Sequence, residues 1–166
     1  MRVWRERAEG AVIEDRTYSV TPASMAVNVG IITGEVIDLK VTERVEWSSG
    51  RIVSPARLTG TLRLANTSAN RSVRLVEAKL LFIDAEGQPI KLAGARTDLI
   101  VELSTYGGEW LDPGQDMTQA LDVEVPGEAL KARTLRDIRV ELSYVPLPFR
   151  QEAVSFAVSI GAEPVE

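Results

Sequence analysis

This sequence predicts an all-β fold, an immunoglobulin-like antiparallel β-sandwich of about nine short strands with one short helical turn, on three observations. Apolar and polar residues alternate with period two in segment after segment. Turn-forming residues recur about every 8 to 12 positions. Only Glu128-Ala129-Leu130-Lys131-Ala132-Arg133 sets good helix formers in succession, enough for one turn. A chain of 166 residues, 45% hydrophobic, can bury one core, so residues 1–166 are read as a single domain.

In chain order, residues 1–10 carry Arg2, Arg5, Glu6, Arg7 and Glu9 around Trp4 without strand alternation. Residues 1–20 are therefore an N-terminal arm or edge strand, with Trp4 capping the sandwich edge or anchoring a partner. Residues 11–13 and 17–20 are short β pieces, and Pro22 marks a break because it lacks a backbone donor. Residues 25–32 form another apolar piece closed by Gly34. Residues 37–47 alternate most cleanly, with Ile37, Leu39, Val41, Val45 and Trp47 on the inward face and only Glu43 breaking the row. Glu43 is read as a strand end, bulge or edge position rather than an inward catalytic carboxylate. Ser48-Ser49-Gly50 closes a hairpin, and residues 51–55 begin the return.

Leu58, Leu62 and Leu64 share a face with Gly60, while Thr59, Thr61 and Arg63 point the other way. Residues 66–71 are a polar turn, because short polar side chains bond their own backbone there. Between residues 73 and 82 the apolar parity shifts from Val73 and Leu75 to Val76, Ala78, Leu80 and Phe82, which one extra residue near Leu75-Val76 explains. Asp84-Ala85-Glu86-Gly87 turns the chain again, Gly87 supplying a positive φ. A strand over residues 99–103 leads to the loop Tyr106-Gly107-Gly108-Glu109-Trp110. Leu111-Asp112-Pro113-Gly114 then suits a type II turn. Leu121, Val123 and Val125 face inward from residues 117–125, Ile138, Val140, Leu142 and Tyr144 from the next strand, and Val154, Phe156, Val158 and Ile160 close the core. Leu64, Phe82, Leu121, Val140 and Phe156 are expected to be almost fully buried.

The series Gly60-x-Leu62-x-Leu64-x-Asn66-x-Ser68, then residues 73–82, then Asp84-x-x-Gly87, and later Leu111-x-Pro113-Gly114-Gln115, resembles the FxLYD-type domains of bacterial secreted proteins and lipoproteins. It is similar also to the related late-embryogenesis-abundant water-stress domain. Leu80-Leu81-Phe82-Ile83-Asp84 keeps the Asp and the apolar character of the namesake motif, but not its Phe, Leu and Tyr. The resemblance covers residues 58–160 and implies an immunoglobulin-like sandwich of about 100 residues, with the preceding segment as an addition. It implies a non-catalytic, extracytoplasmic accessory or binding module and carries no catalytic residues.

Composition narrows the chemistry. A net charge of −5 and a pI near 5.0 argue against a nucleic-acid partner, whose affinity rests on Lys and Arg neutralising phosphates. With no Cys and no His, Ser-His-Asp and Cys-His catalysis and thiolate metal sites have no residues to use. No window approaches the roughly 20 apolar residues of a membrane span, and residues 1–7 lack the apolar stretch of a signal peptide. The expected location is periplasmic or otherwise extracytoplasmic if a signal sequence was trimmed, in a lipoprotein or secreted context, and cytoplasmic otherwise.

Asp84 with Glu86, and Asp112 with Asp116, lack the dense oxygen ladder of a Ca²⁺ site, so no metal and no cofactor is expected. Asp122 and Glu124 read as a solvated face. Two loops stand out for binding: the one holding Tyr106 and Trp110, and the one running from Tyr144 through Pro146-Leu147-Pro148-Phe149 to Arg150. Tyr, Trp and Arg dominate interface hot spots, which makes Tyr106, Trp110, Tyr144 and Phe149 the candidate binding residues. The favoured competing reading folds Trp110 and Phe149 back as plugs over the sandwich ends. The expected function is a non-catalytic module mediating protein–protein interaction or self-association in the bacterial cell envelope. The alternative is a carbohydrate-binding or weakly hydrolytic domain using the loop aromatics and nearby carboxylates.

Overall fold

The computed structural model of the chain describes residues 5–8, 11–92, 94, 96–103, 110–131, 134–146, 150–162 and 164, with backbone alone for residues 5–8, 11 and 150–152. Among the described residues eleven strands form two antiparallel sheets, an all-β sandwich as the alternation predicts. They are β1 (Arg5–Ala8), β2 (Ala11–Thr21), β3 (Met25–Val29), β4 (Ile32–Glu46), β5 (Ile52–Asn66), β6 (Arg74–Asp84), β7 (Leu99–Glu102), β8 (Asp116–Glu124), β9 (Leu135–Val145), β10 (Arg150–Ala157) and β11 (Ser159–Ile160). The first sheet runs β1-β2-β4-β5-β8 and the second β10-β9-β6-β7.

β4 is the spine of the larger sheet. Its C-terminal half pairs with β2, from Ile13↔Glu46 to Ser19↔Lys40, and its N-terminal half pairs with β3, from Met25↔Val36 to Val29↔Ile32. β2 and β3 are thus one row of the sheet, interrupted around Pro22. The apolar run over residues 25–32 is a tight β3–β4 hairpin rather than one strand, and β4 continues through Gly34 instead of stopping there. After β10 the chain passes to the larger sheet, where β11 pairs Ile160 with Val20. One apolar core takes Tyr18, Val20, Val27, Ile32, Val36 and Val41 together with residues from β5 to Val158. The apolar residues of 18–41 thus share one core with those of the strands after Leu58.

Leu64, Phe82, Leu121, Val140 and Phe156 are all buried, as their positions on the inward rows require. The parity change in β6 is a register shift between Leu75 and Glu77 opposite Tyr144 and Ser143, and it leaves Val76 exposed. A second irregularity lies in β4, where the register to β5 slips between Ile37 and Lys40 and Asp38 takes φ 57. This slip turns Ile37 to the face of its partner Thr61, opposite to the inward placement that alternation gave it. Gly60 makes room for the slip: a Cβ there would meet the Ile37 carbonyl oxygen at 2.9 Å and Leu39 Cδ2 at 3.1 Å. Trp47 is also not inward. It belongs to the turn after β4 ends at Glu46, where strand alternation no longer applies, and it is 55% exposed.

The expected helical turn is a 3-10 helix over Gly127–Leu130, with Ala129 buried. Among the described residues, no helix is long and apolar enough to cross a membrane.

Candidate functional site

Four connections meet at one pole of the sandwich: the β3–β4 turn, the β5–β6 loop, the segment entering β8 and the end of β9. Asn66, at the end of β5, ties two of them together, the β5–β6 loop and the segment entering β8. Its buried amide nitrogen donates to the carbonyls of Arg71 (2.6 Å) and Leu111 (2.9 Å), and its Oδ1 accepts from the Ser68 amide (2.9 Å). Its backbone exchanges bonds with Gln115 and Gly114 as well. The side chain thus uses both donor hydrogens and its acceptor on loop backbone, which suits a buried carboxamide. Thr67 adds a bond from its hydroxyl to the Ile31 carbonyl, 2.7 Å, which fastens the β3–β4 turn to the same loop.

Val73 and Leu111 exchange two backbone bonds, Val73 N to Leu111 O at 2.9 Å and Leu111 N to Val73 O at 2.6 Å. That bridge sets Trp110 beside the β5–β6 loop. The turn that follows is as the sequence predicts: the Gln115 amide donates to the Asp112 carbonyl at 2.9 Å, and Gly114 takes φ 81 after Pro113. Ser72 Oγ donates to Asp112 Oδ1 at 2.7 Å, and the Asp112 amide donates to Gln115 Oε1 at 2.8 Å. On this frame lies an open hollow of about 470 Å³ lined by Asn70, Arg71, Ser72, Trp110 and Asp112. Trp110 is 41% exposed, so it is not a plug over the sandwich end. The Arg71 guanidinium forms no ion pair among the described residues.

Of the aromatic candidates among the described residues, Trp110 lies at an accessible surface and Tyr144 does not. Tyr144 is a correction: its relative exposure is 0%. It occupies the inward row of β9 with Ile138, Val140 and Leu142, opposite Leu75 on β6, so the strand period overrides the loop reading. Tyr106 and Phe149 lie outside the described residues. Sequence reasoning missed Asn70, Arg71 and Ser72. Their only signal was a polar turn, and nothing local pairs that turn with residues some forty positions downstream.

The other polar groups are committed to structure. Asp84 Oδ1 accepts the backbone amides of Glu86 (3.0 Å) and Gln88 (2.8 Å), so it caps its own turn. Glu43 sits at a register shift, as expected, yet it also points inward: it is buried and accepts a 2.7 Å bond from the Tyr18 hydroxyl. Burial and the bond to Glu43 push the Tyr18 phenol up to about 12, so it remains a neutral donor around neutral pH. Glu14, buried on the same side, is met by Arg16 Nε at 3.0 Å. A wider hollow of about 550 Å³ opens on the outer face of the larger sheet, around Arg44 and Arg57. Both arginines there are already met by carboxylates, Arg44 by Asp15 at 3.0 Å and Arg57 by Asp122 at 2.6 Å. The smaller hollow therefore has the stronger claim, because among the described residues it joins an accessible indole to a guanidinium that forms no ion pair. No family model, curated protein or solved structure matches this chain significantly.

Proposed function

We propose that this chain is a non-catalytic β-sandwich module that holds a protein partner, or a second copy of itself, at the pole carrying Trp110, in a bacterial envelope setting. The observation that carries the reading is the exposure of Trp110 on a frame fixed by Asn66 and the Val73–Leu111 bridge. A large aromatic already held in place loses little freedom when a partner covers it, which is the physical basis of hot spots and of preorganised binding. The resemblance of residues 58–160 to FxLYD-type domains supports an accessory role outside the cytoplasm. The acidic balance of the chain favours protein surfaces over nucleic acid.

The test is a cross-linked pull-down from extract with wild type and Trp110→Ala, with the oligomeric size of each measured by light scattering and a thermal melt as control. Loss of captured protein, or of self-association, at an unchanged melting temperature supports the reading. A variant that melts like wild type and keeps every partner and the same size would sink it.

A further inference from the structure

We infer that the hollow beside Trp110 takes a neutral, hydroxyl-rich ring, a sugar residue of an oligosaccharide, stacked on the indole. The inference rests on the reading of this pole as a binding surface and goes beyond it, giving the hollow itself a small ligand within the surface a protein partner would cover. Charge narrows the ligand first. Arg71 and Asp112 line the same 470 Å³ hollow and are of opposite sign. An anionic ligand settling on Arg71 meets Asp112, a cationic one settling on Asp112 meets Arg71, and an apolar one strips water from both without replacing its hydrogen bonds. The ligand that suits the pair is neutral and offers donors and acceptors together.

A sugar hydroxyl does both. It can donate to Asp112, whose Oδ1 already accepts from Ser72 while its second oxygen faces no donor among the described residues. A neighbouring hydroxyl can accept from the Arg71 fork, and the Asn70 carboxamide offers its amide donors beside an Oδ1 that Ser68 Oγ already meets at 3.4 Å. The apolar requirement is met in turn by Trp110, because one face of a pyranose ring presents C–H bonds that pack flat on an indole. The volume falls within the roughly 300–1,000 Å³ usual for small-ligand sites. The frame needs no rearrangement to receive the ring: the Arg71 amide is held by Ser68 Oγ at 3.0 Å and its carbonyl by Asn66 Nδ2 at 2.6 Å.

The test is a two-dimensional NMR titration of the full chain, following the Trp110 indole N–H and the backbone amides of Asn70, Arg71 and Asp112. The probes are cellohexaose, chitohexaose and xylohexaose, with hexagalacturonate and a short acidic peptide as anionic controls. Saturable shifts confined to these signals are expected with at least one neutral glycan and with neither anionic probe, and Trp110→Ala should weaken binding about tenfold or more. Asp112→Asn, a change at an exposed side chain, should open the site to hexagalacturonate, since Arg71 would then stand alone. No shifts from any neutral glycan at millimolar concentration, or hexagalacturonate bound by wild type as well as the best neutral glycan, would overturn the inference. If the glycans fail while Trp110→Ala still loses its captured protein, the sugar assignment falls and the protein-binding reading stands. If both fail, the pole is not a binding surface.

Discussion

The Tyr18 hydroxyl donates to Glu43 Oε1 at 2.7 Å, joining β2 to β4 on the buried side of the larger sheet. Removing the donor leaves a buried carboxylate short of a partner, so Tyr18→Phe should cost about 1–3 kcal/mol. The same bond sets an alkaline limit. The folded phenol titrates at about 12, above the ordinary 10.0, so its contribution is complete below pH 10 and is lost as pH climbs toward 12. Denaturant unfolding across that range should show a fall in wild type that is shallower in Tyr18→Phe. Equal slopes would mean the bond does not persist in solution.

Phe82 on β6 and Phe156 on β10 flank Ile138 of β9 on the buried face of the smaller sheet. Truncating either to Ala removes its contacts and leaves a cavity, at about 3–5 kcal/mol each. A loss below about 1 kcal/mol at both, by the same denaturation measurement, would be incompatible with the burial described.

Trp110 and Tyr144 sit near one pole but in opposite environments, 41% against 0% exposed. Trp110→Ala should leave the melting temperature close to wild type, whereas Tyr144→Ala should destabilise by about 3–5 kcal/mol. Comparable melts for the two variants would contradict this placement.

Gly60 faces the slipped register of β4, and an added methyl has no room beside the Ile37 carbonyl. Gly60→Ala should therefore destabilise by about 1–3 kcal/mol, despite the better strand propensity of Ala. A neutral or stabilising result would show that β4 can straighten at Asp38.

Without His, the chain has no side chain that ordinarily titrates near neutrality, so stability should be flat from about pH 6 to 7.5. In acid the sign is set in part by Glu46. Hydrogen bonds from Ser49 and Arg51 hold its carboxyl below the ordinary 4.5. Its contribution is present above that value and is lost as pH falls through the lowered one. Glu46→Gln should make the acid limb less steep while leaving the neutral plateau unchanged. A step between about pH 6 and 7.5 would point to a strongly shifted carboxylate elsewhere.

The strands were legible because a half-buried strand writes its two faces directly into the sequence. The β6 bulge was legible for the same reason, since Val73 and Leu75 fall out of phase with Ala78, Leu80 and Phe82. Asp38 left no such mark: Val36 and Ile37 are both apolar, so either phase fits the residues, and only packing against Gly60 selects one. Trp47 shows a related limit. Alternation assigns a face but does not say where the strand stops, and the turn takes Trp47 away from the row that Val45 completes. At the Trp110 hollow, local sequence revealed the aromatic and the turn but not Arg71, because their proximity is made by the Val73–Leu111 bridge.

The β2–β11 pairing also governs when this protein can finish folding. Val20 waits for Ile160, a partner separated from it by most of the sequence, so that row of the larger sheet closes only after β10 has emerged and docked. Such distant pairing carries the entropy of closing a very long loop and slows folding. During synthesis the Ser19–Thr21 end of β2 lacks this partner until the last strand arrives, and it is an end of the nascent chain in need of protection from other strands.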